Sequence, residues 1–230
     1  CIKGCDAVFT VCNPIKDYFK SEYGIESIIV RNIPSKTAIN TTRIASKNKE
    51  NILVWQGAVN VERGLEELCE AMKYIDAKLI IMGQGDIKSD LENKIRQWRI
   101  DNKVCFLGRL PFEQMMNETV KAKLAISIDK PTNGNYAISL PNKIFEYMDA
   151  AVPVLVSPLQ EIKPIIENYK TGVFIRSYDP VELAKQIEEL LSDCSQLDSI
   201  AENCRIACLE FCWENEEKRI TETLKRLKAV

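Results

Sequence analysis

The residues best suited to chemistry in this 230-residue sequence lie in one run, Asn135–Met148. Within it, Pro141 is preset for the first position of a helix, and Ser139 just upstream could cap that helix. The first turn of a helix leaves backbone N–H groups without partners, and these groups attract anions. The run therefore predicts a helix that begins beside a bound anion.

Polar side chains follow along one face of this predicted helix. Asn142, Lys143 and Glu146 are spaced i, i+1 and i+4. An anion at the helix start would meet Lys143, while Glu146 lies one turn, about 5.4 Å, further along. This separation suits a nucleoside diphosphate, with its phosphates at the helix start and its ribose hydroxyls at the carboxylate. The competing interpretation is a solvated ion pair between Lys143 and Glu146, and the spacing alone does not decide between the two.

Glycine placement points to the same kind of ligand. Only nine glycines occur in the sequence, and Gly57, Gly83, Gly85 and Gly108 each follow a predicted strand. The carboxyl ends of parallel strands form the edge where α/β sheets bind ligands, and glycine lets the backbone approach an anion closely. Turn geometry explains any single one of these glycines. Four of them on one edge favour a ligand.

The first of these turns contains a cationic residue. The turn lacks the third glycine of the G-x-G-x-x-G fingerprint, which disfavours a nicotinamide-type dinucleotide. Arg63 is placed at the start of the following predicted helix, where its guanidinium could bind a phosphate with two hydrogen bonds. The alternative is a solvated Arg63 paired with Glu66 or Glu67, and the spacing leaves both open.

Composition excludes several kinds of site. The sequence has no histidine, which removes the commonest general base, the usual Ser and Cys triads and most catalytic zinc sites. Its nine cysteines favour reduced thiols over a disulfide framework. Cys204, Cys208 and Cys212 recur at i, i+4 and i+8 and predict one helix face, but buried thiols explain this stripe better than a metal site does. The formal net charge of −2 provides no basic field for nucleic acid.

Short β-branched runs alternate with longer amphipathic runs, which predicts βα units on a parallel sheet. The predicted strands are Ala7–Val11, Ser27–Val30, Ile52–Trp55, Lys78–Met82, Val104–Leu107, Leu124–Ile128, Pro153–Val156 and Gly172–Ile175. The predicted helices are Arg63–Tyr74, Ile87–Trp98, Leu140–Ala150, Gln160–Asn168, Pro180–Leu191, Leu197–Phe211 and Glu214–Leu227, with one more between the first two strands. The expected fold is α/β, a Rossmann-like doubly wound parallel sheet with terminal helices.

A polar segment divides the chain into unequal parts. Residues 35–50 are rich in Lys, Asn, Thr and Ser and are predicted to be a linker. Residues 1–34 hold too little sheet for a core of their own and are expected to be the tail of a preceding, truncated domain. Residues 51–212 contain six of the predicted strands and are predicted to form a doubly wound domain, followed by a terminal helix in residues 213–230. Cys1 is not a natural first residue, so we expect a longer protein, and an exposed apolar face around residues 5–30 where the rest of it packs.

The run Ser139–Met148, followed by Ala150–Leu155, resembles the helix-and-strand signature of retaining GT-B glycosyltransferases of the large family called family 4 or group 1. Other runs are similar to motifs of that family and occur in its order: Asp6–Val11, Ile29–Pro34, Trp55–Gly57 with Glu62–Leu65, Leu79–Gly85, Val104–Pro111 and Phe211–Glu214. The resemblance spans nearly the whole chain. It implies the C-terminal, donor-binding half of a GT-B fold, with residues 51–212 as the nucleotide-sugar-binding Rossmann-like domain and residues 213–230 as a terminal helix that crosses back toward the N-terminal domain.

The resemblance also implies residue roles. Glu146 would hold the ribose hydroxyls, Arg63 the pyrophosphate, and the backbone of Gly108–Leu110 the base, with Lys143 and the backbone around Ser139 near the donor phosphates. The implied donor-binding residues are Gly57, Arg63, Gly83, Gly108, Arg109, Leu110, Ser139, Leu140, Asn142, Lys143 and Glu146. No catalytic residue is assigned. Transfer would retain anomeric configuration without a metal or other cofactor, because the departing phosphate can itself take the acceptor proton.

Two positions depart from the family pattern. Ala58 follows Gly57 where relatives usually carry a basic residue, which leaves Arg63 as the only cation of that turn. Ile138 stands eight residues before Glu146, where the usual motif has a second Glu. Contact with the donor sugar through that carboxylate is therefore not predicted.

The expected function is donor binding in a retaining hexosyltransferase that passes a sugar from a UDP-, GDP- or ADP-sugar to a glycan or lipid-linked acceptor. Acceptor contacts are expected from the absent N-terminal domain, so the fragment alone would be inactive. The alternatives are a GT-B sugar-nucleotide 2-epimerase and a non-catalytic Rossmann-like binding module. No secretory leader or apolar span occurs in the sequence, which favours a cytoplasmic protein, with peripheral attachment at the inner face of a membrane left open.

Overall fold

The computed structural model describes residues 2–35, 45–132 and 134–228. Its main sheet has six parallel strands in the order β5-β4-β3-β6-β7-β8, and a separate two-stranded parallel sheet pairs β1 with β2. The strands are Phe9–Thr10 (β1), Ile28–Ile29 (β2), Ile52–Gln56 (β3), Lys78–Met82 (β4), Val104–Gly108 (β5), Leu124–Ser127 (β6), Val154–Val156 (β7) and Gly172–Phe174 (β8). Each lies within, or within one residue of, a strand predicted from the sequence.

Helices connect these strands and follow the last of them. They are Asn13–Tyr23 (α1), Leu65–Ala71 (α2), Lys88–Trp98 (α3), Phe112–Thr119 (α4), Gly134–Ala137 (α5), Lys143–Asp149 (α6), Lys163–Tyr169 (α7), Pro180–Ser192 (α8), Cys194–Ala207 (α9) and Trp213–Lys228 (α10). Short 3₁₀ turns occupy Ile2–Gly4 and Ser46–Asn48. The predicted fold class, a doubly wound parallel α/β sheet with terminal helices, is confirmed.

The sheet is buried on both faces. One face packs against α2, α3 and α8 through side chains such as Leu53, Leu68 and Ile187, and the other packs against α4, α6 and α7 through Val54 and Tyr147. Because both faces are covered, the central strands consist of apolar runs instead of alternating patterns. The strand order reverses between β3 and β6, which pair directly, and this reversal places the ligand crevice at their carboxyl ends.

Several helix boundaries differ from the sequence predictions. Helix α2 begins two residues later than predicted, because Gly64 precedes it in a left-handed conformation, φ +70°. Helix α6 begins at Lys143 and not at Leu140 or Pro141. Helix α4 was not predicted, since it has only eight residues, of which Met116 and Thr119 are buried, and so short a segment gives little periodicity.

The N-terminal segment, residues 2–35, packs against the terminal helix α10. The Arg31 guanidinium lies 3.1 Å from the buried carboxylate of Glu216 on α10, and the Trp213 amide donates to the Pro34 carbonyl at 2.8 Å. Large apolar side chains of the segment remain exposed, as predicted: Phe9, Val11, Tyr18 and Tyr23. Most of the predicted linker, residues 36–44, lies outside the described residues. The domain boundaries therefore stay a prediction.

In the part of the chain that the structure describes, none of the helices combines the length and the apolar character that crossing a membrane requires.

A carboxyl group at the end of α6 gives a pH-dependent stability. Burial, and to a smaller extent the nearby Glu214, raises the pKa of Asp149 to about 6, and its buried Oδ2 atom has no hydrogen bond within the part of the chain that the structure describes. Since the folded-state pKa exceeds the unfolded value, the native state binds the extra proton, and stability falls as pH rises from about 4 to 6.

Asp149→Asn is accordingly expected to raise the free energy of unfolding at pH 7 by about 1 kcal/mol, reduced from the full linkage value because the carboxyl is partly solvated. The gain should disappear at pH 4, where Asp149 is protonated in the native state. Urea denaturation at the two pH values measures this difference. An equal change in the free energy of unfolding at both pH values would show that the charge of Asp149 is not responsible.

Candidate functional site

The cleft with the largest concentration of predicted site residues opens at the carboxyl ends of β3 and β6. It has a volume of about 410 Å³. The lining residues are Trp55, Gln56, Gly57, Ala58, Arg63, Met115, Leu140, Pro141, Asn142, Lys143 and Glu146. Residues from the end of β3 and the start of α6, some 90 positions apart in sequence, thus form one surface.

A second depression of about 400 Å³ adjoins this cleft and shares Gly57, Ala58 and Met115 with it. Its remaining lining residues are Met82, Gly83, Gln84, Arg109 and Leu110, at the carboxyl ends of β4 and β5. The two depressions together form a continuous groove along the ligand-binding edge of the sheet.

The structure brings most of the predicted donor-binding residues to this groove. Those that line it are Gly57, Arg63, Gly83, Arg109, Leu110, Leu140, Asn142, Lys143 and Glu146. Gly108 lies behind the lining, where its carbonyl accepts a hydrogen bond from the Gly83 amide at 2.8 Å. Ser139 also lies off the lining, with its hydroxyl donating to the Tyr136 carbonyl at 3.0 Å.

Gly83 and Gly57 differ in what a Cβ atom at each position would contact. A Cβ atom on Gly83 would lie 1.8 Å from the Gly57 carbonyl oxygen, so close packing of the two turns requires glycine there. At Gly57, a Cβ atom would meet only the Trp55 ring, at 3.4 Å, and φ is +137°. Close packing therefore requires glycine at position 83, while the positive φ angle is what favours glycine at position 57.

A buried carboxylate not predicted from the sequence organises the cations of the cleft. Asp129 follows β6 and is fully buried, with Oδ2 at 2.9 Å from the Arg63 guanidinium and Oδ1 at 3.3 Å from the Lys143 ammonium. One carboxylate thus holds two positive groups at the cleft. The sequence signal that could have identified Asp129 is an acidic residue directly after a predicted buried strand, at the carboxyl edge of the sheet.

Lys143 is more deeply buried than either sequence interpretation required. It is 6% exposed, and its ammonium lies 4.7 Å from the centroid of the Trp55 ring. Burial lowers the pKa of Lys143, and the neighbouring Asp129 acts in the opposite direction. The predicted alternative of a solvated Lys143–Glu146 pair is wrong, because the ammonium pairs with Asp129 in the protein interior.

Arg63 lies in the turn before α2 and not at the helix start that the sequence predicted. Its guanidinium stacks on the Tyr136 ring at 4.3 Å from the centroid, and about a quarter of its side chain is exposed to the cleft. The alternative pairing with Glu66 or Glu67 is wrong, since these residues pair with Lys94 and Lys130. The Asp129 carboxylate and the Tyr136 ring together hold the guanidinium at the cleft.

The start of α6 also corrects the predicted cap. The N-cap residue is Asn142, and its side chain makes no capping hydrogen bond. Ser139 cannot reach it, because its hydroxyl bonds within the preceding turn of α5. Backbone N–H groups of the first turn partly bond to earlier carbonyls, such as Ile144 to Pro141 at 3.2 Å.

Glu146 lies in the first turn of α6 and is half-buried in the lining of the same cleft. Burial raises the pKa of Glu146, while a hydrogen bond from the Gln56 amide, and next Lys143, lower it. Gln56 is 2% exposed and in turn contacts the hydroxyl of the buried Thr119. Neither Gln56 nor Thr119 was predicted, since they lie 90 and 27 residues from Glu146 in sequence and no local pattern links them.

The arrangement separates two kinds of recognition. Arg63 and Lys143 provide fixed positive charge at one part of the cleft, which suits an anion such as a diphosphate. Glu146 provides an acceptor at another part, which suits hydroxyl donors.

Among residues 2–35, 45–132 and 134–228, no group of three His, Cys, Asp or Glu side chains is arranged to hold a metal ion. The predicted cysteine stripe does not lie on one helix face, because α9 ends at Ala207, so that Cys208 is its C-cap residue and Cys212 lies beyond the cap.

Comparison with known proteins gives a family and a set of relatives. The sequence model of the family described as "Glycosyl transferases group 1" matches residues 38–206. An uncharacterized glycosyltransferase of Methanocaldococcus jannaschii is 28% identical over 200 residues, covering 84% of this chain and 50% of that protein. An alpha-1,4-N-acetyl-D-galactosaminyltransferase of Campylobacter jejuni, named for an undecaprenol-linked substrate, is 23% identical over 214 residues, covering 90% of this chain and 56% of that protein.

Solved structures share the fold. HepE of Anabaena, solved with UDP and with UDP-glucose, superposes with a TM-score of 0.79 at 17% identity in the UDP complex, covering 96% of this chain and 64% of that one. The chain spans about half the length of the curated relatives it matches.

Proposed function

Since this chain belongs to the group 1 glycosyltransferase family, we propose that it binds the nucleotide-sugar donor of an enzyme that transfers a sugar to a glycan or lipid-linked acceptor. The observation that carries the proposal is the cleft at the carboxyl ends of β3 and β6. There, Arg63 and Lys143 face one part of the space and the Glu146 carboxylate another. This is the charge pattern that a nucleoside diphosphate needs.

Each group has a part in the proposed donor complex. Arg63 and Lys143 bind the diphosphate, and Glu146 accepts hydrogen bonds from the ribose hydroxyls. The base lies in the second depression, against Arg109 and Leu110. The HepE complexes with UDP and UDP-glucose support the choice of ligand class, since that protein shares the fold.

The same cations serve the transfer step. When the bond between the sugar and the diphosphate breaks, negative charge develops on the leaving phosphate, and preorganised cations stabilise it. In the proposed retaining, metal-independent reaction, the leaving phosphate accepts the proton of the acceptor hydroxyl, so the protein supplies no general base. The acceptor itself is bound by the part of the protein outside this chain.

Calorimetric titration with UDP, GDP and ADP tests donor binding. We expect at least one of them to bind, and Glu146→Ala to weaken that nucleotide about tenfold, which corresponds to about 1.4 kcal/mol. The loss is moderate because the hydrogen bonds to the ribose are partly offset by the cost of burying the carboxylate.

Glu118→Ala provides the matched control, since Glu118 carries the same charge on α4 but pairs with Lys121 at the surface. Its affinity should equal that of the unmodified protein. No binding of any of the three nucleotides at millimolar concentration would overturn the proposed function, and an unchanged affinity in Glu146→Ala would overturn the ribose assignment alone.

A further inference from the structure

We propose that Gln56 and Thr119 are positioning residues that orient the Glu146 carboxylate for the ribose hydroxyls. The inference rests on the proposed function and deepens it. The two residues form a buried polar chain from α4 through β3 to α6. Neither touches the nucleotide in this proposal, and both act through Glu146.

The buried polar chain begins at Thr119 of α4, whose side chain is fully buried. Its hydroxyl oxygen lies 3.1 Å from Gln56 Oε1 and 2.8 Å from the Met115 carbonyl. Both neighbours are acceptors, and the single hydroxyl proton can be donated to either of them. Gln56 therefore has a donor facing the oxygen end of its amide.

The amide of Gln56 has only one orientation that satisfies both of its neighbours. Its Nε2 atom donates to Glu146 Oε2. An ionised carboxylate only accepts hydrogen bonds, so the NH₂ end of the amide must face Glu146 and the oxygen end must face a donor. Thr119 is that donor. Without Thr119, the amide oxygen of Gln56 would lose this donor in the protein interior, and the amide would be held in its orientation from one end only.

The backbone of Gln56 is also fixed. Its N–H donates to the Tyr147 hydroxyl at 3.1 Å, and that hydroxyl lies 3.4 Å from the Ile126 carbonyl of β6. Tyr147 follows Glu146 on α6. The end of β3 is therefore tied to α6 through a side chain and through the backbone, which holds Gln56 and Glu146 in register.

The buried polar chain of Thr119 and Gln56 has two effects on Glu146. The amide hydrogen bond favours the ionised carboxylate against the effect of burial, and the ionised form can accept hydrogen bonds from both hydroxyls of a diol. It also holds one carboxylate oxygen in place before the nucleotide binds, so less side-chain freedom is lost on binding.

Packing alone does not explain these two polar residues. Their neighbourhood is the apolar core that contains Val54, Met82 and Met116, and a buried amide is costly there unless it is fully hydrogen-bonded. Apolar side chains of similar volume would fill the same space without that requirement. The hydrogen bonds that lead from Thr119 through Gln56 to Glu146 supply a reason for polar residues at these two positions.

The test compares ribose recognition in variants of the full chain. The probes are the best-binding diphosphate among UDP, GDP and ADP, its 2′,3′-dideoxy analogue, and inorganic pyrophosphate. We expect the unmodified protein to prefer the ribose form about tenfold and Thr119→Val to reduce this preference to about threefold. Affinities for the dideoxy analogue and for pyrophosphate should stay the same, since neither uses Glu146.

Two further variants separate positioning from general effects. Thr119→Ser retains the hydroxyl and should retain the preference. Thr171→Val is the matched control, because Thr171 is also buried and its hydroxyl has no hydrogen-bond partner among the described residues. Thr171 lies at the amino end of β8, away from the cleft, so its removal should leave the preference unchanged.

The outcomes distinguish this inference from the proposed function. If Glu146→Ala abolishes the preference and Thr119→Val leaves it at tenfold, the positioning role is overturned while donor binding stands. If Glu146→Ala also leaves it unchanged, both the ribose assignment and the inference are overturned. Should Thr119→Val fail to fold, Gln56→Met, which keeps the volume and removes the amide, decides the question: a reduced preference supports the role and a full preference overturns it.

Discussion

Asp129→Ala is expected to lower the free energy of unfolding by about 3–5 kcal/mol, the usual range for removing one partner of a buried charge cluster. The carboxylate is 1% exposed and contacts two cations, of which Lys143 is itself 6% exposed. Without Asp129, the Lys143 ammonium stays in the interior with no anion at hydrogen-bond distance. It must then lose its proton or draw water into the core.

Urea denaturation at pH 7 measures this loss. The matched control is Glu189→Ala, which removes the partner of Arg176 at the surface and should cost less than about 1 kcal/mol. Adding Lys143→Met to Asp129→Ala should recover part of the stability, since it removes the unpaired buried charge. A loss in Asp129→Ala no larger than in Glu189→Ala would contradict the assignment of Asp129 as the anion of this cluster.

Arg63→Ala is expected to weaken the nucleoside diphosphate about 10- to 100-fold. Charge-assisted hydrogen bonds contribute about 1.5–3 kcal/mol each, and about 1.4 kcal/mol corresponds to a factor of ten in affinity. Arg63 is held in place before binding by Asp129 and by the Tyr136 ring, so little side-chain entropy is lost when it binds the phosphates.

Calorimetry with the diphosphate and with the corresponding nucleoside isolates this contribution. Nucleoside affinity should not change, because the nucleoside has no phosphate for Arg63 to bind. Arg96→Ala is the control for loss of one positive charge, since Arg96 lies on the surface of α3 beside Asn93. An equal loss for the diphosphate and the nucleoside would show that Arg63 shapes the cleft and does not bind the phosphates.

The fold could be predicted from local patterns because local physics determines its elements. The run Lys78–Met82 forms a strand as predicted, since apolar β-branched residues in a short run pack well between two covered faces. Boundaries were less predictable. The start of α2 at Leu65 depends on the left-handed conformation of Gly64, where a Cβ atom would lie 2.4 Å from the Ile128 carbonyl.

The candidate site was only partly predictable, for a related reason. Gly57, Arg63, Lys143 and Glu146 are visible in sequence because each follows a strand or begins a helix at the ligand-binding edge. The partner that holds Arg63 and Lys143 together, Asp129, is 66 and 14 residues from them. No local spacing rule links residues that far apart.

The sequence by itself determined the order of the strands, the fold class and the sheet edge at which a ligand site is predicted, since these follow from hydrophobic period and from glycine at strand ends. Only the tertiary structure decided the state of the charged groups. It buried Lys143 against Asp129, stacked Arg63 on Tyr136 and connected Glu146 to Thr119 through Gln56. The physical reason is that burial and pairing of a charge depend on neighbours that the sheet brings together from distant parts of the chain.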